Sequence, residues 1–199
     1  MSNTVTQDQL ADGLRTLPRG SALVIKMGNT NYVDTYPAAL ATILRDYVME
    51  VRGRAIYVSV TNPASLLIDL LGSMDVPVNG ISFVDVTSYL MVAKGKRSPN
   101  ISYVESPTML ETIMLRIEYL LRKNPTEKPV VVIDSISSLA IHNNGGILSE
   151  FLHVLVNTLK SSGAITIILA VAEETAPEME NTLSLVCDQI VSLATPGGG

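Results

Sequence analysis

The chain has 199 residues, of which 47% are hydrophobic and only 17% charged, so it is long enough and apolar enough to bury a sizeable core. Intrinsic disorder is excluded because it needs low hydrophobicity and high charge, and a membrane span because the longest apolar runs fall far short of ~18 residues. The net charge of −5 argues against binding to nucleic-acid phosphates.

Apolar strand-like runs alternate with helical patterns along the whole chain. Short apolar or β-branched runs predict strands, and apolar residues at helical spacing predict helices. In chain order we expect a strand over 22–27, a helix over 37–51, a strand over 55–60, a helix over 64–71, a strand over 81–86, a helix over 110–121, a strand over 130–133, a helix over 147–161, and strands over 164–172 and 189–193. This alternation predicts an α/β fold with a mostly parallel sheet and helices on both faces. We expect one domain over residues 1–194 and a flexible Gly-rich tail over 195–199.

Two sequence features bear on the compartment. Cys187 is the single cysteine, so no intrachain disulfide can form, which fits a reducing compartment. The first 15 residues have neither a basic start nor an apolar run, so we expect no signal peptide and a cytoplasmic protein. The charged fraction of 17% is below the typical ~25%, which suggests that another chain covers part of the surface.

A loop with one glycine and several polar residues separates the first predicted strand from the first predicted helix. A strand, such a loop and a helix form the plan of a phosphate-binding loop, but the motif GxxxxGK[ST] is absent here. Asp34 stands near the helix start, where its carboxylate can cap the free N–H groups itself. A carboxylate ~4 Å from a phosphate costs about 4 kcal/mol, as much as a millimolar site gains. The pattern therefore favours a helix-capping loop, and only if a nucleotide binds would the residues holding it be Gly28, Asn29, Thr30 and Asn31.

Polar residues also follow two other predicted strands. Asp134 comes directly after the apolar run over 130–133, where a carboxylate could hold Mg²⁺ through water or could instead cap a turn, and spacing leaves both open. Thr61 and Asn62 follow the strand over 55–60, and neither can act as a general base near neutral pH. We therefore expect no catalytic residue at these strand ends.

The order of these segments resembles the RecA/KaiC-type ATPase core over nearly the whole chain. Four segments in order carry the resemblance: PRGS at 18–21, YVS at 57–59, VVVIDS at 130–135 and CDQIV at 187–191. The resemblance implies a RecA-like three-layer sandwich. The sequence Thr61-Asn62-Pro63, together with the stretch 136–143, looks like an archaeal subset of KaiC-like proteins that lack the Walker A motif.

Departures from the ATPase pattern determine the function that the resemblance implies. The P-loop glycines and lysine have no counterpart, and Thr61 and Asn62 stand where the family carries its catalytic glutamates, while Asp134 is retained. The resemblance thus implies a pseudo-ATPase without a cofactor, an assembly or regulatory subunit that associates with itself or a related subunit. The alternative is an ATP-binding protein with a non-standard phosphate loop and Mg²⁺ on Asp134. A nucleic-acid-binding relative would have to use the small basic cluster at residues 94–97, and the net charge disfavours it.

Overall fold

The computed structural model of this protein describes residues 3–89 and 98–194. Eight strands within these residues form one sheet. They are β1 (Asn3–Val5), β2 (Ala22–Met27), β3 (Arg54–Ser59), β4 (Ile81–Asp85), β5 (Ile101–Tyr103), β6 (Pro129–Asp134), β7 (Ile165–Val171) and β8 (Gln189–Leu193).

All paired strands are parallel, in the order β1-β8-β2-β7-β6-β3-β4-β5. The strands therefore all end at one edge of the sheet, which we call the C-edge, and all begin at the opposite edge, the N-edge. The register places Ser59 beside Asp134 and Asp134 beside Leu169. Polar residues that follow separate strands are thus brought together at the C-edge, where ligands bind in open parallel sheets.

Seven α-helices within the described residues connect the strands. They are α1 (Gln7–Thr16), α2 (Tyr32–Leu40), α3 (Ala64–Ser73), α4 (Leu110–Lys123), α5 (Ile136–His142), α6 (Gly145–Ser161) and α7 (Pro177–Val186). A π-helix, Ala41–Val48, continues directly from α2. None of the described helices is long and apolar enough to cross a membrane.

The helices form one layer on each face of the sheet. Residues of α4, α5, α6 and α7 pack in one apolar core, and those of α1, α2, the π-helix and α3 pack in the other. Every residue of β6 and β7 is buried, as expected for strands covered on both faces. The predicted three-layer α/β sandwich is confirmed, and the sheet is entirely rather than mostly parallel.

One predicted helix boundary differs from the structure, and two short edge strands were not predicted. The helix predicted from residue 37 begins at Tyr32, with Pro37 inside it, because a three-residue 3₁₀ turn leads directly into α2. The edge strands β1 and β5 have three residues each, too few to produce a visible alternation. The predicted tail, 195–199, and the basic cluster at 94–97 lie outside the described residues.

Candidate functional site

The loop between β2 and α2 is short, and it is hydrogen-bonded to a glutamate that follows the adjacent strand. After Gly28, a 3₁₀ turn over Asn29–Asn31 leads into Tyr32. The Asn29 N–H donates to Oε2 of Glu173, which follows the adjacent strand β7, at 2.8 Å. A Cβ on Gly28 would lie 2.8 Å from Asn31 Oδ1 and 3.6 Å from Glu173 Oε1. The sequence pattern suggested a possible phosphate site in this loop. A carboxylate of the chain itself already accepts a hydrogen bond from one backbone N–H there.

The lysine nearest this loop faces away from it. Lys26 lies on the same face of β2 as Ala22 and Val24, which pack in the core beneath α7, and its Nζ lies 2.5 Å from Oε1 of Glu180 on α7. The lysine side chain is 12% exposed, so it is held in a pair within that layer. Its charge is therefore balanced by Glu180 rather than directed at residues 28–31.

Asp134 lies fully buried at the end of β6 and binds two tyrosines. Its Oδ2 accepts from the Tyr36 hydroxyl of α2 and the Tyr57 hydroxyl of β3, each at 2.6 Å. Its Oδ1 has no hydrogen-bond partner among the described residues. Tyr32 stacks on Tyr36 with ring centroids 5.0 Å apart. The two aromatic rings thus extend from Asp134 toward the loop after β2.

Burial dominates the electrostatics of this cluster. It raises the pKa of Asp134 above its usual range, and the hydrogen bonds from Tyr36 and Tyr57 offset part of that rise. Burial and the neighbouring Asp134 charge together raise the pKa of both tyrosines, so both hydroxyls stay protonated and act as donors. The Asp134 carboxyl group is thus enclosed and hydrogen-bonded to two tyrosine hydroxyls, and it does not face solvent.

Two solved structures share the architecture that positions these residues. One is the KaiC-like protein PH0186 from the hyperthermophilic archaeon Pyrococcus horikoshii OT3, with a TM-score of 0.61 and 17% identity over 88% of this chain and 72% of that one. The chain has a KaiC-like fold. The other is the protein PH0250 from the same organism, with a TM-score of 0.65 and 8% identity over 97% of this chain and 90% of that one. No family model and no curated protein matches the sequence.

The resemblance to the RecA/KaiC core is thereby confirmed at the level of the KaiC-like fold. Identities of 17% and 8% show the fold alone. Placement in a subset without Walker A, nucleotide contacts by residues 28–31 and Mg²⁺ on Asp134 all stay predictions. Among the described residues, no group of three or more His, Cys, Asp or Glu side chains is arranged to hold a metal ion.

A cluster of hydroxyl groups lies beside Asp134 at the C-edge of the KaiC-like fold. Thr61 Oγ1 lies 2.8 Å from Ser138 Oγ, and Ser135 Oγ lies 3.1 Å from the same atom. Ser135 also caps α5, because its hydroxyl accepts from the Ser138 N–H at 3.2 Å. These hydroxyls can donate and accept hydrogen bonds, but none can serve as a general base near neutral pH. The segment after β3 is thus a hydrogen-bonded turn, in which the Asn62 carbonyl accepts from the Ser59 hydroxyl.

Asp85, at the end of β4, is a further buried acid, and it belongs to none of the sequence motifs considered above. Its carboxylate accepts from the N–H groups of Ala64 and Thr87, each at 2.8 Å, and from the N–H and hydroxyl of Ser88. An Asp followed two and three residues later by Thr and Ser is the sequence signal of such a turn. Asp85 thus joins the end of β4 to the start of α3 and is occupied by structural contacts.

Cys187 is not an activated thiol. Burial raises the pKa of its thiol to about 12, and the nearby Lys160 charge only partly opposes that rise. A thiol with such a pKa remains protonated near neutral pH, and the thiolate is the nucleophilic form. Asp188, beside Cys187, accepts from the Ala22 N–H at 2.7 Å and pairs with Lys160 at 2.8 Å. These contacts of Asp188 stabilise the start of β2.

Proposed function

We propose that this protein is a catalytically inactive RecA/KaiC-like domain, a pseudo-ATPase that acts as an assembly or regulatory subunit. The observation that carries the proposal is the hydrogen bond from the Asn29 N–H to Glu173 in the loop after β2. In a phosphate-binding loop, backbone N–H groups and a lysine hold the phosphates. Here an acid takes up one of those donors, and Lys26 is paired with Glu180.

The arrangement around Asp134 supports the same proposal. A magnesium ion bound with a nucleotide needs carboxylate oxygens that reach it directly or through water. Asp134 is fully buried, and one of its oxygens already accepts two tyrosine hydroxyls. Thr61 supplies a hydroxyl where an ATPase of this fold would need a carboxylate base. These arrangements at the loop and at Asp134 support a domain that does not use a magnesium nucleotide.

An assembly role is supported by composition and by exposed apolar side chains. Only 17% of the residues are charged. Large apolar residues with more than half of their surface exposed include Val33, Leu66, Ile141, Ile147 and Leu185. Extended exposure of such side chains is typical of surfaces that other chains cover. We propose that the partner is a second copy or a related subunit, in a cytoplasmic setting.

Calorimetric titration with ATP and Mg²⁺ tests the inactive site. We expect no binding by the wild-type chain at millimolar nucleotide. Glu173→Ala removes the acid at the loop and should gain weak, millimolar binding of inorganic phosphate. Glu178→Ala, which removes an exposed acid from the first turn of α7, is the matched control and should gain none.

Two results would count against this account of the site. Tight binding of ATP and Mg²⁺ by the wild-type chain, abolished by Asp134→Ala, would favour the ATP-binding alternative. Identical phosphate binding by Glu173→Ala and Glu178→Ala would mean that Glu173 is not what excludes the anion.

A further inference from the structure

Exposed basic residues are concentrated at one corner of the N-edge, where β3 and β6 begin and α4 ends. The chain as a whole has a net charge of −5, so its composition alone does not lead us to expect such a concentration. Five exposed bases lie in these segments. We call them the basic corner, and they are Arg52, Arg54, Arg122, Lys123 and Lys128.

The sheet register brings the segments of the basic corner together. Arg54 is the register partner of Pro129, which directly follows Lys128. A Cβ on Gly53 would lie 2.8 Å from the Lys128 carbonyl oxygen, so the two strand starts are in close contact. The last turn of α4 is adjacent, because Leu120 lines a small cleft together with Arg54 and Pro129. The five bases therefore belong to one region of the surface, although they come from three segments of chain.

Three of the five bases are not neutralised by acids of the chain. Arg52, Arg54 and Lys128 form no ion pair with any acid in the described ranges 3–89 and 98–194. Glu127, which precedes Lys128, is itself exposed, and Glu50 is paired with a base of α1. The residues outside the described ranges contain three bases and no acidic side chain. The charge of these three bases is therefore open to an acid from another molecule.

The two bases of α4 extend this surface along the helix. Arg122 pairs with Glu118 at 3.3 Å, but the arginine side chain is 69% exposed. Lys123 Nζ lies 5.8 Å from the centre of the Tyr119 ring. Tyr119 and Leu115, four and eight residues before Lys123, share its face of α4 and are 49% and 58% exposed. Exposed apolar side chains thus adjoin the basic corner.

Helix ends explain only part of the basic corner. Arg122 and Lys123 lie in the last turn of α4, where a helix favours bases. Arg52 has a φ of 50°, in the left-handed region that favours glycine, so the backbone geometry does not select an arginine there. Arg54 begins β3 and Lys128 directly precedes β6, so no helix end favours a base at either position. The corner carries more positive charge than its secondary structure requires.

We propose that the basic corner and the adjoining face of α4 bind an extended acidic segment of a different protein, with apolar residues among its Asp and Glu residues. Its carboxylates pair with the arginines and lysines, whose guanidinium groups can hold a carboxylate through two hydrogen bonds. Its apolar side chains contact Leu115 and Tyr119. The inference goes beyond the proposed inactive site, because none of these residues lies at the C-edge.

Two other kinds of occupant fit this surface less well. The most acidic stretch of the chain itself, residues 173–180, is folded into a 3₁₀ turn and α7, so a second copy supplies no extended segment from it. Single-stranded nucleic acid binds by stacking successive bases on aromatic rings as well as through its phosphates. The sequence of α4 contains one aromatic residue, Tyr119, which gives no series of rings.

Charge reversal tests the basic corner. The probe is a short fluorescent peptide of glutamate and leucine, and its binding is measured by fluorescence anisotropy. The corner variant is Arg54→Glu with Lys128→Glu. The control is Arg15→Glu with Arg45→Glu, which changes the net charge equally at exposed bases of the opposite helical layer. At about 0.05 M salt, where exposed charges are weakly screened, wild type and control should bind, and the corner variant should bind roughly tenfold or more weakly.

A second pair of variants tests the apolar part of the surface. Leu115→Ser with Tyr119→Ser should weaken binding of the glutamate–leucine peptide several-fold and leave binding of an all-glutamate peptide unchanged. Urea unfolding shows whether each variant folds as the wild type does. If the charge-reversal variant does not fold, Arg54→Gln with Lys128→Gln removes the same charges without reversing them and should also weaken binding.

Three results would overturn the proposal. They are a wild-type chain that does not bind the acidic peptide, equal binding by wild type and a folded corner variant, and tighter binding of a single-stranded RNA of the same length than of the peptide. The last result would assign the surface to nucleic acid. Binding of ATP and Mg²⁺ at the C-edge would overturn the proposed function and leave this inference standing, so the two failures are distinguishable.

Discussion

The carboxyl group of Asp134 illustrates how single residues set the properties of this site. Both tyrosine hydroxyls donate to Oδ2, and burial raises the pKa of the group. An acid whose pKa is raised in the folded state stabilises that state fully below its unfolded pKa. This contribution is lost as the pH rises through the folded pKa. Ionisation of Asp134 as the pH rises therefore lowers the free energy of unfolding. The hydrogen bonds from Tyr36 and Tyr57 offset part of that loss.

Asp134→Asn should flatten the decrease of stability that begins as the pH rises above the ordinary Asp pKa of about 4. The amide oxygen can still accept from Tyr36 and Tyr57, but the residue no longer ionises. Urea unfolding of wild type and variant at a series of pH values above about 4 measures how steeply the free energy of unfolding changes with pH in each protein. The difference between the two slopes isolates Asp134 from acids such as Asp188, whose pKa is lowered and whose contribution to stability has the opposite sign. Equal slopes for the two proteins would show that Asp134 does not titrate differently in the folded state.

At the scale of elements, long apolar segments could be predicted from sequence and short edge elements could not. The runs that became β2, β6 and β7 are buried on both faces, so their composition alone identifies them. The start of α1 is marked in the sequence by a capping box of Thr6 with Gln9, a local signal that apolar spacing alone does not reveal. β1 and β5 are defined by their neighbours in the sheet rather than by their own three residues.

The candidate site was predictable only in part, for a physical reason. Asp134 and the loop over residues 28–31 follow strands, and parallel topology brings strand ends to one edge. The partners of these residues come from distant segments: Tyr36 is 98 residues from Asp134 and Glu173 is 144 residues from Asn29. No local pattern records such contacts, so the tyrosine cluster and the acid at the loop appear only in the folded chain.

Asp85→Ala should destabilise the protein by about 2–5 kcal/mol, because it leaves the buried N–H of Ala64 and the turn after β4 without their acceptor. Asp69→Ala, an exposed acid in the middle of α3, is the matched control and should change stability by no more than about 0.5 kcal/mol. Denaturant unfolding near neutral pH measures both. Similar small effects for the two variants would contradict the structural role of Asp85.

On the scale of the whole molecule, an all-parallel sheet with returning helices explains the low charge content. Strands covered on both faces are almost wholly apolar, which lowers the charged fraction without any partner. The chain combines the packing of a KaiC-like fold with a loop after β2 whose Asn29 N–H donates to Glu173 of the same chain.

We propose that this domain associates without using nucleotide. Its most direct test is the solution mass of the 21.4 kDa chain, measured by sedimentation equilibrium with and without ATP and Mg²⁺. The account predicts the same assembled mass, a multiple of the chain mass, under both conditions. A monomer that assembles only when ATP and Mg²⁺ are added would contradict it.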